Sequence, residues 1–411
     1  MGGATAAESR GRALHALRSR DFRLFFAGQS ISLVGNAAFT IALGWRTFSL
    51  TGHASSLGIV LAVQSAATLA TLLAGGVLAD RYDRRRLMIA SDLARFCAVA
   101  ALAALDASGH LSLAWLVGFA VLVGAGEGFF IPAFGGMIPL VVEAPLLPSA
   151  NALVGIARQG STLIGPSLAA VLYAPAGSST VFAVDAATFL VATLLLARAR
   201  PRAPERTAAR DSARRELAEG FRYVASVPFL WVTIAVSSLL LMLQVAPFQV
   251  MLPDLVKSEW GRGPGGYGLL ATFAGAGMIL GALAFGTLVP RRNRAGISYA
   301  MWIINSACVV GVGLSPWFEG ALVLQAVRGL FVGFGIALWE TTLMELVPER
   351  LLARVVSLDF FGSLGLMPLG YLLAAGVAGL ASPAVIVAGG AVAGVVMFAA
   401  AAAWPRARMI D

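Results

Sequence analysis

Ionisable side chains inside long apolar stretches are the residues best placed to do chemistry in this chain. Glu127 lies near the middle of one such stretch, and Arg158 lies at a comparable depth in the next one. A charge in hydrocarbon is costly, so each group needs a partner or a function. Two interpretations are open: a buried ion pair that fixes helix packing, or a proton carrier whose carboxyl group is held by Arg158 in one state and released in another.

Residues that support catalysis or metal binding are scattered. The three histidines, His15, His53 and His110, lie outside the apolar stretches, and Cys97 and Cys308 lie inside them without metal-ligand spacing. The sequence contains no nucleophile elbow and no phosphate-binding loop. We therefore expect no metal, no cofactor and no enzymatic activity.

The apolar stretches themselves predict a polytopic membrane protein. Hydrophobic residues make up 58% of the chain and charged residues 12%, about half the charged share of a soluble domain. A membrane span needs about 20 mostly apolar residues. Twelve stretches qualify: 23–49, 56–79, 87–106, 112–138, 151–174, 179–197, 229–252, 267–289, 296–315, 320–346, 355–380 and 383–404. We interpret the first as a retained span rather than a cleaved leader.

The distribution of basic residues predicts the orientation. Outside the spans, all basic residues except Lys257 and Arg262 fall on the side that holds both chain ends. Because basic loops stay in the cytoplasm, both termini are predicted to be cytoplasmic, in a bacterial inner membrane. The net charge of +9 is explained by this topology, and we expect no nucleic-acid binding.

With this orientation, roles can be predicted for other ionisable residues from their depth in the spans. Asp92 and Arg95 stand three residues apart on one helical face, which predicts a structural pair. Near the outer ends of the first and sixth spans, Arg46 and Asp185 could pair as part of an outer gate, or could each reach toward water.

Two acids lie near the inner ends of the tenth and eleventh spans. Glu340 and Asp359 are predicted inner-gate contacts, with Arg354 available to either. Asp359 is also a second candidate for a proton site.

The one long polar segment divides the chain. Residues 198–228 begin as a proline-containing linker and continue as an amphipathic helix on the inner leaflet. The predicted organisation is a cytoplasmic tail (1–22), a six-helix bundle (23–197), this linker, a second six-helix bundle (229–404) and a cytoplasmic tail (405–411).

A charged segment between the second and third spans, residues 76–87, carries the most specific motif. It resembles the G-x-L-A-D-R-x-G-R-R loop of the major facilitator superfamily. The matching positions are Gly76, Leu78, Ala79, Asp80, Arg81, Arg84 and Arg85. Asp83 departs from the pattern, where the family usually has a second glycine. The resemblance implies an all-α membrane protein of twelve transmembrane helices in two six-helix halves, which alternately expose a central site to each side.

The motif also predicts a conformational latch. In an outward-facing state, the Asp80 carboxylate would meet the N-terminus of the eleventh span near Arg354. The latch set is Gly76, Asp80, Arg81, Arg84, Arg85 and Arg354. Residues 286–294 resemble a second, divergent copy of the motif, in which Pro290 replaces the acid.

Further resemblance points to the enterobactin-exporter and macrolide-efflux branch of the family. The entry to the first span, residues 20–32, is similar to that branch. So is the fifth span, where Gly155, Gly160 and Gly165 are similar to an antiporter signature or serve ordinary helix packing. Asn36 stands where that branch often has an acid, which removes one obvious proton carrier.

The family fold implies that the first, fourth, seventh and tenth spans line the substrate cavity. The residues that these spans offer are Asn36, Phe39, Phe129, Phe130, Gln244, Phe248, Trp339 and Glu340. Aromatic rings with few polar groups suit a bulky amphiphile. Arg328, with Gly329 and Gly333, is either a helix-packing element or a ligand for an anionic substrate.

These observations predict a secondary transporter that exports a hydrophobic or amphipathic small molecule, antibiotic or siderophore-like, by proton antiport. We expect a monomer whose partners are the small-molecule substrate, protons and the lipid bilayer. The alternatives are a lysophospholipid flippase and a membrane sensor that transports nothing.

Overall fold

The computed structural model describes residues 15–202, 213–290 and 292–408, and this part of the chain is helical without β-strands. The all-α fold class is therefore confirmed. The long apolar helices are α1 (Arg20–Thr51), α2 (Ala54–Arg81), α3 (Arg84–Ala107), α4 (Leu113–Val141), α5 and α6 (the two arms of Leu147–Arg198), α7 (Pro228–Ser258), α8 (Pro264–Thr287), α9 (Arg294–Leu314), α10 (Phe318–Leu346), α11 (Glu349–Val377) and α12 (Pro383–Ala403).

The element Leu147–Arg198 contains two spans rather than one. Its 52 residues would extend about 78 Å as one straight helix, whereas a bilayer core is about 30 Å thick. Gly177 interrupts it with φ 76° and ψ 178°, a backbone conformation that favours glycine. The break separates α5 (147–176) from α6 (178–198), so the described residues contain the twelve predicted spans.

Two spans of the C-terminal half are irregular. In α7, residues Leu241–Val245 form a π-helical turn just before Pro247, and α11 is interrupted at Leu366 before Pro368. Proline has no backbone N–H to donate and therefore weakens the preceding helical turn. A π turn also rotates the side chains that follow it relative to a regular helix.

The chain divides into two compact units. The first consists of Met1–Thr51 and Val63–Glu205, and the second of Gly52–Ala62 and Arg206–Asp411. The predicted halves differ from this division in residues 52–62, which count with the second unit. There Gly58 lies so close to α11 that a Cβ atom at this position would be 2.8 Å from the carbonyl oxygen of Tyr371.

Each unit has its own apolar core. In the first, Phe22, Phe25, Met88 and Met137 are fully buried. In the second, Tyr299 is buried at the centre of a cluster that also includes Phe229, Phe398, Leu230 and Val355. Burial of such large side chains is the main source of tertiary packing energy.

The linker helix Ala213–Ser226 belongs to the second unit and packs against α10 and α11. Glu219 accepts a hydrogen bond from Arg354 at 2.5 Å, and the Tyr223 hydroxyl donates to the carbonyl oxygen of Leu346 at 2.7 Å. Several predictions lie outside the described residues: the tail segments 1–14 and 409–411, the linker residues 203–212, and the inner-side arginines Arg10, Arg12, Arg206, Arg210 and Arg291.

Candidate functional site

Arg95 of α3 lies at the centre of a buried polar cluster inside the first unit. Its guanidinium carbon is 4.4 Å from the ring centroid of Phe130 and 4.5 Å from that of Phe189. The side chain is only 4% exposed. Two aromatic faces stabilise the cation and exclude water, so neighbouring carboxylates interact with it strongly.

One carboxylate forms an ion pair with this guanidinium, and two others, on neighbouring helices, lie within range of its charge. Asp92, one turn earlier on α3, places Oδ1 2.5 Å from Arg95 Nη2. Glu127 of α4 and Asp185 of α6 lie within range of the Arg95 charge, but neither forms an ion pair with it among the described residues. Asp92 and Asp185 are buried, whereas Glu127 is partly exposed. We call these four residues the Arg95 cluster.

Two glycines make room for the cluster. A Cβ atom at position 126 would lie 2.8 Å from Cγ of Arg95, and a Cβ atom at position 35 would lie 2.6 Å from Oδ1 of Asp185. Gly126 and Gly35 therefore let α4 and α1 approach the charged side chains closely. The Thr188 hydroxyl also lies beside Asp185, at 3.3 Å from Oδ1. The site therefore depends on these two glycines, because a larger residue at either position would clash with a charged side chain.

Glu127 and Arg158 are not paired in this structure, and the alternative in which Arg158 holds the carboxyl group in another state stays a prediction. Arg158 lies over the ring of Phe134, 5.2 Å from its centroid, and the cation whose charge is within range of Glu127 is Arg95. Phe134 follows Glu127 by seven residues on α4, which corresponds to about 10 Å along the helix axis. Arg158 thus contacts α4 about two turns away from the carboxylate.

Of the two alternatives for Arg46 and Asp185, the structure contradicts their pairing with each other. Arg46 Nε donates to Oδ1 of Asp106 at 2.6 Å, and the Ser178 hydroxyl donates to Oδ2 of the same carboxylate. Ser178 directly follows the Gly177 break, whereas Asp185 lies two helical turns deeper. Sequence reasoning missed Asp106, although an acid in the last turn of an apolar stretch was a usable signal.

The motif loop between α2 and α3 is held by its own charged side chains. Asp83 caps α3, since its carboxylate accepts from the backbone N–H groups of Arg85 at 2.8 Å and Arg86 at 3.3 Å. The departure from the family pattern at this position therefore supplies a helix cap. Asp80 is 41% exposed, and its Oδ1 lies 3.8 Å from Arg84. Its latch role stays a prediction.

The arginines of this loop bind carbonyl oxygens of neighbouring helices. Arg84 donates to the carbonyl of Gly136 at 2.8 Å, and Arg85 donates to those of Leu196, at 3.0 Å, and Ala197. Leu196 and Ala197 belong to the last turn of α6, where carbonyl groups lack helical partners. These contacts tie the loop to α4 and α6.

Asp359, one of the two inner-end acids of the second unit, has hydrogen-bond partners on α10 and α11. Asp359 accepts hydrogen bonds from Trp339 Nε1 at 2.9 Å and from Ser363 at 3.4 Å, while Arg354 binds Glu219 of the linker helix. The predicted contact of Arg354 with Glu340 or Asp359 stays a prediction. The role of Glu340 stays a prediction.

The predicted cavity residues of the first unit differ in accessibility. Phe39 is buried against Phe182, with 5.4 Å between ring centroids, and Phe130 is one of the two rings on the Arg95 guanidinium. Asn36 and Phe129 are partly exposed. Contact of any of them with a substrate stays a prediction.

In the second unit, Arg328 and its glycine neighbours serve different purposes. A Cβ atom at Gly329 or Gly333 would collide with backbone carbonyls of α8, so these glycines allow α8 and α10 to pack closely. Arg328 instead lies over Phe248 of α7, 5.0 Å from the ring centroid. Gln244, in the π turn of α7, is 2% exposed.

The described residues contain no group of three or more His, Cys, Asp or Glu side chains arranged to hold a metal ion. Within the Arg95 cluster, Asp92 is paired with a cation of the protein itself.

Comparison with known proteins agrees with this architecture. The Enterobactin exporter EntS of Citrobacter koseri is 28% identical over 341 residues, covering 81% of this chain and 79% of that protein. Macrolide efflux protein A of Streptococcus pyogenes is 25% identical over 359 residues, covering 86% and 88%. Among solved structures, a bacterial homologue of the iron transporter ferroportin superposes with a TM-score of 0.71 at 15% identity, covering 94% of this chain and 99% of that chain.

The family model described as Major Facilitator Superfamily matches residues 25–365, which include α1 to α10 and most of α11. Together with the helical architecture, this shows a multi-pass membrane transporter of a small-molecule substrate. The chain belongs to the Major Facilitator Superfamily, in the branch of the enterobactin and macrolide exporters.

Proposed function

We propose that this transporter exports a hydrophobic or amphipathic small molecule in exchange for protons, and that the Arg95 cluster is its proton-carrying site. The observation that supports this proposal is the excess of acids over bases: Asp92, Glu127 and Asp185 lie within range of the charge of one buried arginine. Buried like charges disfavour one another, so a group of this composition is suited to hold and exchange a proton.

The three carboxylates differ in what they are suited to do. Asp92 makes the short contact with Arg95 and is fully buried, which suits a constant counter-ion. Glu127 is the one of the three that is partly exposed, which makes it the carboxylate best suited to exchange a proton. We therefore assign the exchangeable proton to Glu127 and a supporting role to Asp185. Asp359, bonded to Trp339 and Ser363, remains a second candidate.

The energy of one proton is sufficient for useful efflux. A proton that enters through a potential of ~100 mV supplies about 2.3 kcal/mol, which sustains a substrate gradient of roughly fifty-fold. The relatives support the direction of transport, since one is named an exporter and the other an efflux protein. Both chain ends would then be cytoplasmic, in a bacterial inner membrane.

The proposal is tested with the purified full-length chain in proteoliposomes under an imposed pH gradient. The probes are the macrolide erythromycin, enterobactin and a lysophospholipid, each with and without an uncoupler. We expect flux of at least one of the first two probes, and loss of most of that flux on adding uncoupler. Flux that is unchanged by the uncoupler would contradict proton antiport. Flux of the lysophospholipid alone would identify a lipid transporter instead.

The latch is tested in the same vesicles. Asp80→Asn removes the charge and keeps the size of the side chain, so the protein is expected to reconstitute normally and to transport several-fold more slowly. Asp83→Asn is the matched control, because asparagine is also a good helix cap. Unchanged transport by the Asp80→Asn variant would remove the latch from the mechanism.

A further inference from the structure

Arg328 is a cation deep in a membrane-spanning helix without an acidic partner among the described residues. It lies near the middle of α10, twelve residues from Glu340 on the same helix, which corresponds to about 18 Å. The carboxylate of Asp359 is engaged by Trp339 and Ser363. A charge at this depth is costly, and it persists where it meets a partner or a water-filled cavity.

The neighbours of Arg328 satisfy only part of its hydrogen-bonding capacity. Nη1 donates to Oε1 of Gln325 at 2.8 Å, whereas Nε is buried with no hydrogen-bond partner among the described residues. The other contact of the guanidinium is the ring of Phe248, at 5.0 Å. These groups leave the positive charge uncompensated.

The free edge of the guanidinium has the geometry that oxyanions use. Nε and Nη2 point two N–H groups in parallel, and a carboxylate or phosphate accepts such a pair in a bidentate manner. Gln325 occupies the opposite nitrogen and fixes the rotation of the group. Arg328 is partly exposed as a residue while its Nε is buried, so a ligand must displace the groups that cover Nε before it can bind both N–H groups.

We infer that Arg328 is an anion-recognition residue of the second unit: it binds the carboxylate or phosphate oxygens of an amphiphilic anion through Nε and Nη2, and Phe248 contacts the apolar part. Gln325 acts through Arg328 as a positioning residue. This inference builds on the proposed function, because it gives the exported amphiphile a negative charge. Transport and binding are nevertheless measured separately.

The experiment compares matched anions and neutral molecules by calorimetric titration of the full-length protein in phosphatidylcholine nanodiscs. One pair is biphenyl-4-carboxylate and biphenyl-4-carboxamide, which represents a free amphiphile. The other pair is lysophosphatidic acid and a monoacylglycerol of the same chain length, which represents a lipid. For at least one pair, we expect the anion to bind wild-type protein about tenfold more tightly than the neutral molecule, since charge-assisted hydrogen bonds are roughly twice as strong as neutral ones.

Variants distinguish an effect of the Arg328 charge on binding from an effect on folding. Arg328→Gln should reduce the preference for the anion to less than twofold, and Arg328→Lys should retain part of it. Gln325→Glu should abolish the preference while Arg328 remains present, because the new carboxylate would occupy the guanidinium. The matched control is Arg262→Gln, since Arg262 also lies over a phenylalanine ring, Phe318 at 5.2 Å, but is exposed and pairs with Glu319.

The two pairs of probes identify the source of the anion. A preference confined to the carboxylate assigns a free amphiphile, and one confined to the lysolipid assigns a lipid headgroup. Equal binding of anion and neutral molecule in both pairs would overturn the inference without any variant, as would an Arg328→Gln protein that keeps the preference. Failure of proton coupling in the flux assay, with the anion preference intact, would overturn the proposed function alone.

Discussion

The two units of this transporter contain opposite kinds of buried charge. In the first, three carboxylates lie within range of the Arg95 charge; in the second, Arg328 has no carboxylate partner among the described residues. Both arginines lie against phenylalanine rings, so the aromatic contacts are similar and the difference lies in the acids. A site with excess acid is suited to bind a proton, and a site with excess base is suited to bind an anion.

The same comparison shows how repeated architecture diverges. The motif loop of the first unit has Asp83, whose side chain caps α3, whereas the corresponding turn of the second unit places Asn293 in the left-handed region at φ 54° before α9. Both solutions start a helix after a charged turn. Equivalent helices of the two units can therefore begin with different capping arrangements. The buried charges of the two units also differ, and this difference does not depend on how the helices begin.

The largest expected difference comes from removing each arginine. Arg95→Gln should lower the free energy of unfolding by about 3–5 kcal/mol, because it leaves buried carboxylates without their cation. Arg328→Gln should cost about 1 kcal/mol, since it loses a ring contact and strands no acid. Unfolding in mixed micelles at increasing dodecyl sulfate concentration measures both. Equal losses would contradict the asymmetry, and adding Asp92→Asn to Arg95→Gln should recover part of the stability.

Substitution of a single carboxylate of the first unit, Glu127, should abolish proton coupling. Glu127→Gln keeps the shape of the side chain but holds no exchangeable charge, so substrate flux should become independent of an imposed pH gradient. Proteoliposome flux at several gradients measures this, and Glu143→Gln, in the loop after α4, serves as the control. A Glu127→Gln protein that still follows the gradient would exclude Glu127 from coupling and leave Asp359 to be tested.

Close packing around the Arg95 cluster should be sensitive to single methyl groups. Gly35→Ala would place a Cβ atom 2.6 Å from the Asp185 carboxylate, so the free energy of unfolding should fall by about 1–3 kcal/mol. Gly155→Ala is the matched control, because a Cβ atom there meets nothing within 4 Å. The micelle titration compares the two. A Gly35→Ala protein as stable as Gly155→Ala would show that the cluster is loosely packed.

The smallest expected effect is at the helix cap. Asp83→Ala removes the acceptor for two backbone N–H groups at the start of α3 and should cost about 1 kcal/mol, whereas Asp83→Asn should cost a few tenths at most. Hydrogen exchange of the first turn of α3 reports this locally. If exchange at Arg85 and Arg86 is unaltered in the alanine variant, the cap contributes nothing to the order of the loop.

Most of the architecture was determined by the sequence itself. The twelve spans, the motif loop and the amphipathic helix before α7 follow from apolar length, charge position and helical periodicity, which act over neighbouring residues. The break at Gly177 also lies between two predicted spans, where a glycine allows the chain to turn. These features need no knowledge of which helices touch.

The partners of the buried charges were decided only by the tertiary structure. Sequence spacing paired Asp92 with Arg95 because both lie on one helix, but the pairings it offered between helices, Glu127 with Arg158 and Asp185 with Arg46, are not present in the structure. Pairing between helices depends on their rotation and relative height, and glycines such as Gly126 set both by allowing close approach. The depth of a side chain in the membrane can be predicted from its position in the apolar stretch. The direction in which it points depends on how the surrounding helices pack, which the sequence of one helix does not determine.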